Sequence, residues 1–171
     1  MITFRQDDQA DMGENMVTVN DRILQEVNEI RNRYHDARSC LLPTIYILQR
    51  EVGWLSPGAL QMVGELLNIP KATVKGVSTF YAMFNHQPMG RHLIQLCTNV
   101  ACMIMGGEGL SDILKERYGL EPNRTSPDGR FSLVIMECIG ACDKAPAMLV
   151  DTDLHGNLTG EGMIGILEGY T

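Results

Sequence analysis

The 171-residue sequence contains no run of about 18 apolar residues, so no segment of it predicts a membrane span. Its first residues are acidic and polar, unlike the basic, apolar start of a signal peptide or the Arg-rich start of a transit peptide. Lysine and arginine do not cluster, and a net charge of −7 disfavours nucleic acid as a ligand. These absences predict a cytoplasmic protein without direct membrane insertion.

Motifs for nucleotide binding and for common catalytic sites are absent as well. The sequence has no phosphate-binding loop, no G-x-G-x-x-G after a predicted strand and no G-x-S-x-G. Its histidines do not group with carboxylates at useful spacings; they are His35, His86, His92 and His155. We therefore expect no catalytic residue and no flavin or nucleotide site on this chain.

Cysteine is the residue type that the chain uses in a pattern. Without a secretory signal, five cysteines are not expected to form disulfides, and clustered thiols then indicate metal binding or redox chemistry. Four of them form two pairs, Cys97 with Cys102 and Cys138 with Cys142. Cys40 stands apart and is expected to be a small buried hydrophobe, and the eleven methionines are expected to fill gaps in the core.

The first half of the chain has the pattern of helices. Residues 1–17 are predicted to be a flexible arm and residues 18–85 a helical bundle, because apolar residues recur there at helical spacing. Thr18 with Asp21 suggests a capping box, while Ser56 and Pro57 mark a later helix start. The predicted helices cover 20–34, 42–52, 57–67 and 70–79.

Two aromatic residues, Tyr81 and Phe84, follow the last predicted helix of this half. Their helical spacing is compatible with a partner surface, but such aromatics lie more often in the core. We therefore expect both side chains to be buried in the helical bundle.

The second half, residues 86–171, alternates strand and helix patterns. Strands are expected at 92–96, 130–136 and 147–150, and a fourth follows a turn at 153–156. Helices are expected at 107–118 and 159–168. The order β-α-β-β-β-α predicts an α/β domain with a mixed sheet.

Each cysteine pair begins where one of these strands ends. A helix connects the two strands, so they are expected to run parallel and to bring both pairs to the same sheet edge. Four thiolates from two loops can then surround one small inorganic core. Gly106, Gly107 and Gly140 lie in these loops, where small residues let backbone N–H groups approach sulfur.

Spacing alone leaves the kind of metal open. A 2Fe–2S cluster fits, and a structural zinc ion held by four thiolates is the chief rival. Zinc modules favour C-x2-C pairs, and thioredoxin-like reductases need C-x-x-C at the head of a helix; neither spacing occurs here. Thiol redox chemistry or inert cysteines remain the third possibility.

Longer motifs around the cysteines resemble a known family, from about residue 25 to the end of the chain. It is the family of the thioredoxin-like 2Fe–2S protein, the E subunit, of the NADH-dehydrogenase module of respiratory complex I. Asn99 departs from its pattern, in which a small hydroxyl residue is expected. The matching segments are CTNVAC (97–102), ECIGACDKAP (137–146), GWL (53–55), GVSTFY (76–81), PMGRH (88–92) and DGRF (128–131).

This resemblance implies a helical bundle followed by a thioredoxin-like domain whose 2Fe–2S cluster is bound by Cys97, Cys102, Cys138 and Cys142. It implies an electron-transfer subunit of NADH:quinone oxidoreductase, with FMN and NADH on a partner flavoprotein and with other peripheral-arm subunits as neighbours. The chain would then lie peripherally at the cytoplasmic face of the inner membrane. Equivalent subunits of NAD-linked hydrogenases or formate dehydrogenases remain an alternative, as does a zinc-stabilised interaction module without redox activity.

Overall fold

The chain forms two compact units, Met1–Pro88 and Met89–Thr171. The computed structural model describes residues 2–3 and 18–171. Within the predicted 1–17 arm, only Ile2–Thr3 (β1) is described, and it pairs antiparallel with Thr18–Val19 (β2). The rest of that predicted arm lies outside the described residues.

Two helices in the described part of the first unit begin at residues whose side chains accept a backbone hydrogen bond. Ser56 Oγ accepts a hydrogen bond from Ala59 N–H (3.1 Å), and Asn68 ends the same helix in the left-handed region with φ of +54°. The predicted capping box at Thr18 is wrong, because Thr18 lies in β2 and Asn20 caps the first helix through Ile23 N–H (2.9 Å). The helices are α1 (Asp21–Arg33), α2 (Leu41–Val52), α3 (Pro57–Leu67) and α4 (Lys71–Phe80).

The apolar faces of α1 to α4 enclose the core of the first unit, in which Ile45, Leu48 and Val63 are fully buried. Phe84 joins this core, as the sequence predicts, with 5% of its surface exposed. The same prediction is wrong for Tyr81, which is 41% exposed. Tyr81 follows the end of α4 in extended conformation, so the helical spacing that predicted its burial no longer applies.

A five-stranded mixed sheet forms the centre of the second unit, in the order β4-β5-β3-β6-β7. Within it, β3 and β5 are parallel, and the other neighbours are antiparallel. The predicted α/β class, with helices preceding a mixed sheet, is confirmed. The strands are β3 (His92–Cys97), β4 (Arg124–Thr125), β5 (Phe131–Met136), β6 (Met148–Val150) and β7 (Asp153–His155).

The second unit differs from the predicted element order at three places. A short helix, α5 (Val100–Ile104), precedes the expected α6 (Gly107–Tyr118), and the two-residue strand β4 is an addition to the predicted strands. Both are too short to show a period in the sequence. The segment predicted as a turn before the last strand is itself β7, because the chain already turns at Asp151, whose φ is +55°.

The last helix, α7 (Gly160–Glu168), forms although it contains three glycines. Thr159 Oγ1 caps it by accepting from Gly162 N–H (3.1 Å), and Met163 and Leu167 are fully buried in the core of the second unit. Arg130 donates to Leu167 O (2.6 Å) near its end. The burial of Met163 and Leu167 and the cap at Thr159 offset the low helix propensity of glycine. Along the described ranges, no helix has both the length and the apolarity needed to cross a bilayer.

Ser56→Ala is expected to lower the free energy of unfolding by about 1 kcal/mol, because the substitution leaves Ala59 N–H without its cap acceptor. Denaturant unfolding followed by circular dichroism measures this change. Ser39→Ala, at an exposed serine, is the matched control and should stay within about 0.5 kcal/mol. Equal stability of the Ser56→Ala variant and the wild type would contradict the assigned cap.

Candidate metal centre

Two strands that run side by side in the same direction end at the candidate site. β3 and β5 pair in parallel from His92 opposite Phe131 to Cys97 opposite Met136. Cys97 is the last residue of β3, and Cys138 follows the end of β5 by two residues. The parallel arrangement that the sequence predicts therefore brings the starts of both cysteine loops to one sheet edge.

The loop after β3 holds the first cysteine pair inside the protein. Cys97 ends the strand and Cys102 is the third residue of α5, and only 3% and 2% of these residues are exposed. Thr98 N–H donates to Met136 O (3.2 Å), which ties this loop to the end of β5. Both thiols thus have little contact with solvent.

The loop after β5 holds the second pair, Cys138 and Cys142, and both residues are exposed. Cys142 begins a short 3-10 helix, Cys142–Lys144. Gly140, between the two cysteines, has φ of +77°, and its N–H donates to Cys138 Sγ (N···S 3.4 Å). A Cβ at this position would meet no atom within 4 Å, so lack of space is not the reason for glycine here. Glycine is favoured because φ is positive.

One contact of a cysteine sulfur connects the two loops. Cys97 Sγ lies 3.9 Å from the carbonyl oxygen of Glu137, the residue before Cys138. The structure therefore places the four cysteines of the sequence prediction in two neighbouring loops at one sheet edge.

The two buried thiols differ in acidity. Burial raises the pKa of Cys97, but hydrogen bonds from the backbone of Asn99 and Ile139 and from the thiols of Cys102 and Cys138 outweigh it and lower that pKa overall. Burial raises the pKa of Cys102, and the neighbouring Cys97 raises it further. Cys97 is thus the more acidic of the two buried thiols.

The cysteine donor set does not select the metal by itself. Among the residues that the structure describes, no three histidine, cysteine or carboxylate side chains form a group suited to one metal ion. Four thiolates suit a tetrahedral zinc ion and also the irons of an iron–sulfur cluster.

Gly107 allows α6 to begin directly against the first cysteine pair. A Cβ at this position would lie 2.8 Å from the carbonyl oxygen of Cys102 and 3.2 Å from that of Cys97. Any larger residue would push the start of α6 away from the loop. Gly106 caps α6 with φ of +88°, so these two glycines set the packing and direction of the helix.

The remaining cysteine and the histidines lie in other surroundings. Cys40 is buried in the core of the first unit, as the sequence predicts, with Sγ 3.6 Å from the carbonyl oxygen of Asp36. His92 contacts Asp151 (2.8 Å) at the end of β3 opposite to Cys97, and His155 contacts Tyr170 (3.0 Å). The polar contact of His92 is thus made away from the cysteine loops.

An exposed apolar surface, which the sequence patterns did not predict, adjoins the cysteine loops. It consists of α5 and the residue that follows, and Ile104 is 74% exposed. The methionines here do not fill the core as expected, and only Cys102 of this helix is buried. The low polarity of residues 100–105 is the sequence feature that indicates such a surface. We call Val100, Met103, Ile104 and Met105 the α5 surface.

The family model of the thioredoxin-like 2Fe-2S ferredoxins matches residues 27–171. The chain is 39% identical over 139 residues to the E subunit of NADH-quinone oxidoreductase of Pseudomonas aeruginosa, a match that covers 81% of this chain and 84% of that protein. Identity, match length and coverage are the same for the protein of that name from Escherichia coli strain K12.

A solved structure shares the fold. An NAD+-reducing NiFe-hydrogenase in the air-oxidised state matches with a TM-score of 0.67 and 22% identity, over 76% of this chain and 22% of the hydrogenase chain. The family match covers the second unit completely and most of the first. This chain therefore belongs to the thioredoxin-like 2Fe-2S ferredoxin family.

Proposed function

We propose that this chain is the electron-transfer subunit of an NADH:quinone oxidoreductase, in which one 2Fe–2S cluster exchanges electrons with the FMN of a partner flavoprotein. The ligands are Cys97, Cys102, Cys138 and Cys142. The observation that carries the proposal is the parallel pairing of β3 with β5, which places both cysteine loops at one sheet edge. It occurs in a chain that belongs to a 2Fe–2S family.

The residues present fit such a cluster. Cys97 and Cys102 would bind it on the buried side, and Cys138 and Cys142 on the exposed side. When bound, the cluster supplies a relay that takes up and passes on one electron at a time. Gly140 N–H, 3.4 Å from Cys138 Sγ, is placed to stabilise negative charge on sulfur, and Gly107 keeps α6 close to the buried pair.

A single zinc ion fits these residues less well. The pairs lack the C-x2-C spacing that zinc modules favour. The family membership also favours iron and sulfide over zinc. In this proposal the four cysteines bind a redox-active cluster. A zinc-stabilised interaction module without redox activity is disfavoured.

The quinone oxidoreductase assembly is favoured over a hydrogenase or a formate dehydrogenase. Sequence relatives at 37–39% identity bear the name of the E subunit of NADH-quinone oxidoreductase. The likeness to the NAD+-reducing hydrogenase, at 22% identity, supports only a shared fold. We accordingly place the chain, as a proposal, in the peripheral arm of that complex at the cytoplasmic face of the membrane.

The partner in this proposal supplies the NADH and FMN sites, because the chain carries no nucleotide-binding motif of its own. The α5 surface supports direct docking beside the cluster, since exposed apolar residues contribute most to association where they become buried. Glu137, Asp143 and Lys144 flank the cysteines of the second loop and are all exposed, so this loop carries charges of both signs. A partner surface with an apolar centre and a polar rim would complement this face.

Serine at any one of Cys97, Cys102, Cys138 or Cys142 should abolish the cluster or change its spectrum, because a hydroxyl is a poorer ligand for iron than a thiolate. Anaerobic purification of each variant, followed by visible and EPR spectroscopy, measures the effect. Cys40→Ser is the matched control and should leave both spectra unchanged, because Cys40 lies in the core of the first unit. An unaltered spectrum for Cys138→Ser would refute the ligand assignment.

Ile104→Gln should weaken association with the flavoprotein partner about tenfold, because it removes an exposed apolar side chain from the docking face. Titration of the loaded chain against the purified partner measures the dissociation constant. Leu154→Gln, at an exposed apolar residue on β7, is the control and should bind like the wild type. Equal dissociation constants for the Ile104→Gln variant and the wild type would exclude the α5 surface as the docking face.

A further inference from the structure

The chain segment that follows β7 lies at the sheet edge of the cysteine loops. β7 is antiparallel to β6, and β6 is antiparallel to β3, so β7 runs in the same direction as β3. The residues after His155, where β7 ends, are therefore at the edge where β3 ends at Cys97. We call residues 156–158 the β7–α7 segment.

Backbone hydrogen bonds join the β7–α7 segment to the chain just after Cys142. Asn157 N–H donates to the carbonyl oxygen of Lys144 (2.6 Å), and Leu158 N–H donates to that of Pro146 (3.0 Å). Lys144 is the last residue of the short 3-10 helix that begins at Cys142. The segment thus fixes the far end of the helical turn on which Cys142 lies.

The residues after Cys142 are also tied to β3. The carbonyl oxygen of Ala147 accepts a hydrogen bond from Cys97 N–H (3.2 Å). Residues 144–147 therefore have backbone hydrogen bonds both to the strand that carries the buried ligand and to the β7–α7 segment. Because Cys142 itself is exposed, its position depends on this backbone more than on the packing of its own side chain.

Gly156 allows the β7–α7 segment to approach Lys144 closely. A Cβ at this position would lie 2.5 Å from Lys144 Cβ and 2.8 Å from the carbonyl oxygen of Lys144. Alanine would therefore have to displace the Lys144 main chain, since contacts this short force the backbone to shift. The φ of Gly156 is not in the left-handed region, so space is the reason for glycine here.

We propose that Gly156 is a positioning residue for Cys142, which it holds in place for the cluster through the main chain of Lys144. This inference rests on the function proposed above. Displacement of Lys144 moves the 3-10 helix that begins at Cys142 and changes the place of this ligand relative to Cys97. Groups that orient a metal ligand affect metal binding strongly, although they do not touch the metal.

The test compares the Gly156→Ala variant with the wild type, both as full chains purified anaerobically with the cluster. The EPR spectrum of the reduced cluster is expected to change, because Cys142 Sγ would bind iron from a shifted position. The variant should also lose its cluster to an iron chelator about tenfold faster, as followed by visible absorption. Circular dichroism should show a folded chain, because the displacement is confined to the ligand loop.

Gly90→Ala is the matched control. Gly90 lies in the second unit, two residues before β3 and at the end of this strand opposite to Cys97. A Cβ there would lie 2.8 Å from the carbonyl carbon of Phe131, which is a comparably close backbone contact. This variant should have a lower free energy of unfolding but a wild-type EPR spectrum. The comparison separates an effect on Cys142 from a general loss of stability.

A folded Gly156→Ala chain that does not retain the cluster would also support the proposal, provided that Gly90→Ala retains it. Three results would overturn it: a wild-type EPR spectrum in Gly156→Ala, an equal spectral change in Gly90→Ala, or an unfolded Gly156→Ala chain. In the last case Gly156 would act on the whole unit rather than on Cys142.

The wild-type chain distinguishes failure of this inference from failure of the proposed function. Absence of any cluster from the wild type would refute the proposed function, and this inference with it. A cluster in the wild type and an unchanged spectrum in Gly156→Ala would refute the inference alone.

Discussion

The parallel pairing of β3 with β5 is the constraint on which the candidate site depends. Its register sets Cys97 opposite Met136, so the two loops that leave these strands start side by side. Parallel neighbours are only about 4.8 Å apart, which is close enough for side chains of both loops to share one core. Antiparallel pairing would have placed the two strand ends, and with them the two cysteine pairs, at opposite edges of the sheet.

This pairing also gives the site two different sides. Cys97 and Cys102 are enclosed by the loop after β3 and the start of α6, whereas Cys138 and Cys142 are exposed in the loop after β5. Buried thiolates depend on backbone donors for stabilisation, while exposed ones are also stabilised by water. In the proposed function, the exposed side and the adjacent α5 surface are where a partner can approach the cluster.

Much of this arrangement could be predicted because it depends on local chemistry. Ser56, Pro57 and Asn68 define α3 through capping preferences that act within a few residues. The spacing of the four cysteines and their positions after predicted strands predict a shared metal site. The preference for iron over zinc required the longer motifs around them, since thiolates bind both metals.

Other features depend on tertiary contacts that sequence periodicity does not contain. Tyr81 is exposed because α4 ends one residue earlier, and the two-residue strand β4 exists only through its pairing with β5. The sequence shows that the segment around Ile104 is apolar but not that Ile104 is exposed, because an apolar residue beside a buried cysteine is ordinarily expected in the core.

The proposed function requires that four cysteine thiolates on two loops bind one 2Fe–2S cluster. Its strictest check is the iron, sulfide and zinc content of the anaerobically purified chain, combined with the EPR spectrum before and after reduction. We expect about two irons and two sulfides per chain, and an EPR signal that appears on reduction. A colourless protein with about one zinc per chain, and no EPR signal after reduction, would contradict the proposed cluster.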